Sequence, residues 1–351
     1  MIRVLVVDDS ETARSLLVLI LGSDPGLEVV GEARDGVEAV EMTQRLRPDV
    51  VTMDILMPRL DGLAATREIM ITAPTPIVIV TAGALPGEVE GSLEMLGHGA
   101  LDVLKKPVGP DAPGFAASAR RLISTVKAMS QVKVVRRWRE YPPRPRPNPP
   151  GPTPPPVAGT PAQIVAIGAS TGGPLALQKL LSGLPPDFSA PILAVQHITQ
   201  GFTEGLARWL DSVCDLRVKV AGDGEILARG TVYLAPDGLH LGVSDRRRLV
   251  TSDDPPVGGF RPSATSLFES VARSFGSSAL AVILTGMGVD GVQGLAAIRQ
   301  KGGRVLAQDE STSVVFGMPG AAIDAGLADL VLPIDAIPAR IAAMTRARNA
   351  P

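Results

Sequence analysis

QIVAIGASTGGPLALQKLL, residues Gln163–Leu181, sets an apolar run against a glycine-rich turn that holds one serine. Ile164–Ile167 reads as a short buried strand, Gly168 opens the turn, and the pattern from Leu175 onward is helical. A strand passing to a helix through glycines is the repeating unit of parallel α/β sheets. Ser170 stands at the hand-over. A nucleophile, a phosphate-binding loop and a plain helix cap all fit this local pattern.

The chain around it has 351 residues, which sets an expectation of two domains. Hydrophobic residues make up 45%, enough for proper cores, and the formal net charge of −2 gives no reason to expect nucleic acid as a partner. The single cysteine, Cys214, can form no internal disulfide and lacks partners for a thiolate metal site; it reads as a small residue packed near a helix end. MIRVLVVDDS carries no secretory signature, and the longest apolar runs, such as Leu16–Leu21, are far short of the roughly 20 residues of a membrane span. A cytoplasmic protein with no membrane insertion is expected.

Tyr141–Pro161 reads YPPRPRPNPPGPTPPPVAGTP. Proline lacks an amide hydrogen and fixes φ, so this stretch is expected to be an extended, polyproline-like spacer, with a ligand for a proline-binding domain as the alternative. The basic run RRLISTVKAMSQVKVVRRWREY before it is read as the last helix of the first domain entering the joint. The expected boundaries are 1–125, a helix end and linker over 126–160, and 161–351.

The first segment alternates strand-like runs (Val4–Val7, Glu28–Val30, Val50–Met53, Ile77–Val80, Val103–Leu104) with helical patterns such as Thr12–Leu21 and Val37–Leu46. That predicts a parallel sheet covered on both faces, with function at the carboxyl ends of its strands. Those ends carry Asp8-Asp9, Asp54, Thr81 and Lys106-Pro107. Clustered carboxylates repel one another unless a hard cation such as Mg²⁺ sits among them, and a lysine and a threonine suit a phosphoryl group. Taken singly, Asp8 and Asp9 read as helix caps and Asp54 as a turn residue. VLVVDDS, VTMDILMPRLDGL, VTA and DVLKKP together resemble the receiver domain of two-component response regulators, a flavodoxin-like fold. The resemblance implies Asp54 as phosphoacceptor, Mg²⁺ held by Asp9, Asp54 and the Leu56 carbonyl with Asp8 assisting, and Thr81 and Lys106 sensing the phosphoryl group. It also implies a cis Lys106–Pro107 peptide. His98 reads as a surface histidine.

In the second segment GASTG matches G-x-S-x-G, a short pattern, while Gly168, Gly172 and Gly173 miss the dinucleotide-binding spacing. Histidine is scarce, with three in the chain, so a base for Ser170 is sought at His197 or His240, unless the first segment contributes His98. His197 ends the strand-like PILAVQHI. His240 lies in TVYLAPDGLHLGV, read as a hairpin farther from the crevice. Asp290 closes AVILTGMGVDG and either completes a triad or caps a helix over Gly291–Gln300. Ser170, His197 and Asp290 supply the nucleophile, base and orienting carboxylate of acyl transfer. The amides of Thr171 and Met287 are candidate oxyanion donors.

GASTGGP, QHI, FTEGLARWL, LAPDGLHL, RPSATSLFES, ILTGMGVDG and AQDESTSVVFGMPGAA resemble the catalytic domain of chemotaxis protein-glutamate methylesterases. That implies a second, larger Rossmann-like domain and catalytic roles for Ser170, His197 and Asp290. It further implies demethylation of glutamyl esters on chemoreceptor helices, deamidation of receptor glutamines, no cofactor in the esterase site, and a histidine kinase as phosphodonor. In the unphosphorylated state the receiver is expected to cover the cleft. Ile198-Thr199 and Asp237 depart from the family's usual residues. A receiver-regulated adaptor and a nucleotide-dependent oxidoreductase are the competing readings.

Overall fold

The computed structural model describes residues 1–82, 95–96, 98–132, 134, 160–244 and 247–345. It divides into two compact units, Met1–Pro143 and Arg144–Pro351. The proline-rich stretch lies outside the described residues except for its last two positions.

In the first unit, β1 (Ile2–Val7), β2 (Leu27–Ala33), β3 (Val50–Met53), β4 (Ile77–Thr81) and β5 (Asp102–Lys105) form one sheet in the order β2-β1-β3-β4-β5. Every pairing is parallel. This is the flavodoxin-like order, whose crevice lies between β1 and β3. All of β3 and β4 is buried, as a sheet covered on both faces requires. The helices α1 (Glu11–Gly22), α2 (Gly36–Leu46) and α3 (Gly62–Thr72) begin at Ser10, Asp35 and Asp61, whose side chains accept from amides of the first turn. Helix α4 (Phe115–Met129) takes in the start of the basic run, and most of that run beyond Val132 lies outside the described residues.

The second unit holds a seven-stranded sheet, all of whose pairings are parallel. Its strands are β6 (Ile164–Ala169), β7 (Ile192–Gln196), β8 (Arg217–Val220), β9 (Thr231–Leu234), β12 (Ala279–Ile283), β13 (Arg304–Gln308) and β14 (Leu330–Leu332). Their order is β14-β13-β12-β6-β7-β9-β8. The chain starts at the centre on β6, builds outward through β7, and returns to set β12 against the other side of β6. The topological switch therefore falls at β6, where α/β sheets open a crevice. Helices α5 (Gly173–Ser182), α6 (Thr203–Val213), α7 (Ala264–Phe275), α8 (Val292–Gln300), α9 (Met318–Asp324) and α10 (Ile337–Thr345) complete the fold.

Two expectations need correction. TVYLAPDGLHLGV is no hairpin: its first half is β9, inside the parallel sheet, and its second half is β10 (His240–Val243), antiparallel to β11 (Leu249–Ser252). Tyr233 and its neighbours are fully buried and pair on both sides, so β9 belongs to the core. Among the described residues the cis peptide is Arg261–Pro262, so Lys106–Pro107 is trans. The Lys106 amide continues the ladder to the Thr81 carbonyl at 2.7 Å, and its side chain is aimed by carboxylates instead.

Candidate active site

The crevice of the first unit gathers Asp8, Asp9 and Asp54, which offer one oxygen each within 4.8 Å of one another. Asp8 does not cap α1: its Oδ1 accepts from the Ser10 amide at 3.0 Å, and Ser10 is the cap. Lys106 Nζ lies 2.8 Å from Oδ2 of both Asp8 and Asp54. Hydrogen-bond geometry is met at Asp54, whereas the buried Asp8 Oδ2 has an ion pair without a directed donor. Burial pushes the carboxyl groups of Asp8 and Asp54 above the usual carboxylate range despite Lys106. Burial pulls the lysine down, but its two carboxylate partners outweigh that and leave it raised. One ammonium among three carboxylates leaves excess negative charge, and an oxygen lacking a donor lies inside the cluster. That donor set fits a hard divalent cation such as Mg²⁺. Thr81 ends β4 and is buried, and Leu56 lies exposed in the loop after Asp54. His98 is half-buried, 2.8 Å from the Arg67 guanidinium.

At the switch point of the second unit, Ser170 follows β6, His197 follows β7 and the Asp290 loop follows β12. The β6–β7 register pairs Ala169 with Gln196, and the His197 amide donates to the Ala169 carbonyl at 2.9 Å. Ser170 and His197 thus leave adjacent strands side by side. Ser170 is no helix cap: the residue capping α5 is Gly172, in the left-handed region, with no side-chain hydrogen bond to the first turn. On the far side Gly286 packs against it, where a Cβ would come within 2.7 Å of Ser170 Cβ.

Asp290 does not cap the helix that follows it, whose cap is Gly291. It reaches instead to the start of α7. Oδ1 accepts from Ser263 Oγ at 2.8 Å and the Thr265 amide at 3.1 Å, and Oδ2 accepts from the Ala264 amide at 2.7 Å. Oδ2 also lies 2.9 Å from His197 Nε2. Burial alone would raise this carboxyl, but the His197 contact and the α7 donors hold it at about 2. An ionised carboxylate only accepts, so Nε2 carries the ring hydrogen, and in the neutral ring Nδ1 is a bare acceptor. That Nδ1 is buried and has no hydrogen-bond partner.

The residues of this constellation share the chemistry of acyl transfer: a hydroxyl, an imidazole with one free nitrogen, and a carboxylate fixed by backbone donors. The CheB methylesterase family matches residues 165–341, and the response regulator receiver domain matches residues 4–112. The chain belongs to the CheB methylesterase family. It is 56% identical over 347 residues, 98% of this chain and 97% of the other, to protein-glutamate methylesterase/protein-glutamine glutaminase 4 of Myxococcus xanthus (strain DK1622). It is 54% identical, over 99% of this chain and 100% of the other, to protein-glutamate methylesterase/protein-glutamine glutaminase 3 of Anaeromyxobacter dehalogenans (strain 2CP-C). Among solved structures, the Thermotoga maritima CheB methylesterase catalytic domain aligns with a TM-score of 0.51 at 42% identity. That alignment covers 52% of this chain and 97% of the other. CheB membership leaves the oxidoreductase reading without support.

Two residues of this CheB-family site, Gln196 and Thr285, carry no signal in the sequence. The Gln196 amide donates to the carbonyls of Ser170, at 2.7 Å, and His197, at 2.9 Å, bridging two residues of interest. Thr285 Oγ1 lies 3.0 Å from the Thr171 carbonyl and accepts from the Val315 amide at 2.9 Å, fixing the turn after the serine. Asp237 accepts from the Gly201 amide at 2.8 Å and Thr203 Oγ1 at 2.6 Å, tying down the segment after His197. His240 is buried with Nε2 3.2 Å from the Pro255 carbonyl and takes no part in the constellation. Cys214 ends α6, its Sγ 3.5 Å from Ser182 Oγ.

Proposed function

We propose that the chain hydrolyses glutamyl methyl esters on chemoreceptor helices, releasing methanol, and deamidates receptor glutamines, the activities carried in its relatives' names. The observation that carries the reading is the His197 Nε2 contact to Asp290 at 2.9 Å, with a bare Nδ1 at the strand end beside Ser170. Ser170 Oγ attacks the carbonyl carbon and its proton passes to His197 Nδ1. The amides of Thr171 and Met287 face the developing oxyanion. Collapse expels methoxide, which takes the proton back from Nδ1 and leaves as methanol, or ammonia in the glutamine case. Water then attacks the acyl-serine with its proton going to Nδ1, which returns it to Ser170 as glutamate is released. Asp290 holds the ring tautomer throughout and stabilises the imidazolium.

The first unit is the regulator. Asp54 receives a phosphoryl group from a histidine kinase, Thr81 and Lys106 engage it, and the unphosphorylated unit restrains the esterase. Asp8, Asp9, Asp54 and the Leu56 carbonyl would hold Mg²⁺, which neutralises phosphoryl charge when bound. Among the described residues no helix is long and apolar enough to cross a membrane, and the cytoplasmic face of the receptor is where the substrate would be met.

Incubation with methylated receptor membranes and a phosphodonor tests the proposal. Methanol is expected from the native chain, and Ser170→Ala should abolish it with the fold unchanged. Near-native turnover in Ser170→Ala would remove the triad.

A further inference from the structure

The segment Asp253–Pro262 lies beside the imidazole. Val257 and Phe260 exchange two backbone hydrogen bonds of 3.0 Å each. They close a two-residue turn whose central residues, Gly258 and Gly259, have φ of 60° and 87°. Positive φ at both central positions defines a type I′ hairpin, which glycine enters without steric cost. The Arg261 guanidinium braces the base by donating to the carbonyls of Asp253, at 2.7 Å, and Asp254, at 3.2 Å. The turn delivers the Phe260 ring onto His197, with centroids 4.2 Å apart and planes 4° from parallel.

A hydrogen bond at one ring atom leaves an imidazole free to tilt about that contact. Asp290 supplies such a single contact through Nε2. Parallel contact with a flat aromatic face removes the tilt. We infer that Phe260, carried on the Gly258-Gly259 turn, is a positioning residue that holds the imidazole plane of His197 with Nδ1 turned to Ser170. The inference rests on the proposed Ser170–His197–Asp290 chemistry.

The test uses the full chain with a saturating phosphodonor and methylated receptor membranes, reading kcat and KM from methanol release. Phe260→Ala should lower kcat on the order of tenfold, because a base out of line loses most of its positioning advantage. KM and the melting temperature should stay close to native. Phe260→Leu, apolar but not flat, should resemble Phe260→Ala, and Phe260→Tyr should restore most of kcat. Gly259→Val, which disturbs the turn that carries the ring while keeping the phenylalanine itself, should lower kcat and add nothing to Phe260→Ala. Native kcat in Phe260→Ala or Phe260→Leu overturns the inference, as does an effect confined to KM, which would make Phe260 a substrate contact. Ser170→Ala run in parallel separates the two levels. An inert Ser170→Ala beside a native-like Phe260→Ala sinks the role of Phe260 alone, whereas an active Ser170→Ala sinks the triad beneath it.

Discussion

Asp290 takes hydrogen bonds from Ser263, Ala264 and Thr265 and faces His197, so both oxygens are fully engaged in a buried place. A carboxyl held at about 2 rather than 3.8 contributes stability above its unfolded value, and that contribution is lost as pH falls from about 4 through about 2. A shift of this size corresponds to about 2 kcal/mol. Urea unfolding of the second unit at pH 5 and pH 3 should therefore show a fall in stability, flattened in Asp290→Asn. Equal slopes in both proteins would remove Asp290 from the account. The same substitution presents an amide to Nε2, able to donate where an acceptor is needed, and should favour the wrong ring tautomer. Activity should drop strongly, yet less than in Ser170→Ala, because the nucleophile remains.

Helix α7 anchors the site at the scale of elements. Its first-turn amides and its cap Ser263 hold Asp290, and its body lies on β6 and α8. Contact with α8 is close at Gly294, where a Cβ would stand 2.5 Å from the Thr265 carbonyl and 2.7 Å from Phe268 Cβ. Thr265 and Phe268 are both on α7, and the first of them also donates its amide to Asp290. Gly294→Ala improves helix propensity by roughly 1 kcal/mol in isolation. It must also displace α7 backbone, an overpacking that costs about 1–3 kcal/mol. The expected result is a net loss of stability with a fall in kcat, measured by thermal melting and methanol release. A stabilised, fully active Gly294→Ala would show that α7 can shift without moving Asp290.

At the scale of the molecule, the two units have separate sheets and separate crevices. The second is expected to fold alone, because its core is built from its own strands and the proline-rich stretch offers no ladder partners. A fragment beginning near Pro161 should melt cooperatively and release methanol without a phosphodonor. The full chain should need the phosphodonor, and Asp54→Ala should make it unresponsive. Should the fragment be no faster than the unphosphorylated full chain, the first unit is not a restraint and acts instead in delivering the enzyme to its receptor.

Much of this architecture is written in local sequence. Buried parallel strands are continuous apolar runs, so β3 and β4 are legible within a residue, and Asp8, Asp54, Ser170, His197 and Asp290 follow from where those runs stop. Those signals reach only a few residues along the chain. Caps, turns and periodicity involve neighbours within about four positions, and they explain why Asp290, taken by itself, also fits a cap for its own helix. Its real partners begin 25 residues upstream at Thr265 and extend to His197, 93 residues away. Gln196 reaches the Ser170 carbonyl across 26 residues, and β9 slips between β7 and β8 only because its buried face completes the sheet. The sequence by itself determined which residues stand at the strand ends, since burial patterns and glycine turns are local properties. The tertiary structure alone decided which side of β6 receives β12, which helix clamps Asp290 and which histidine nitrogen stays bare, because those depend on contacts between segments that only the packed core brings together.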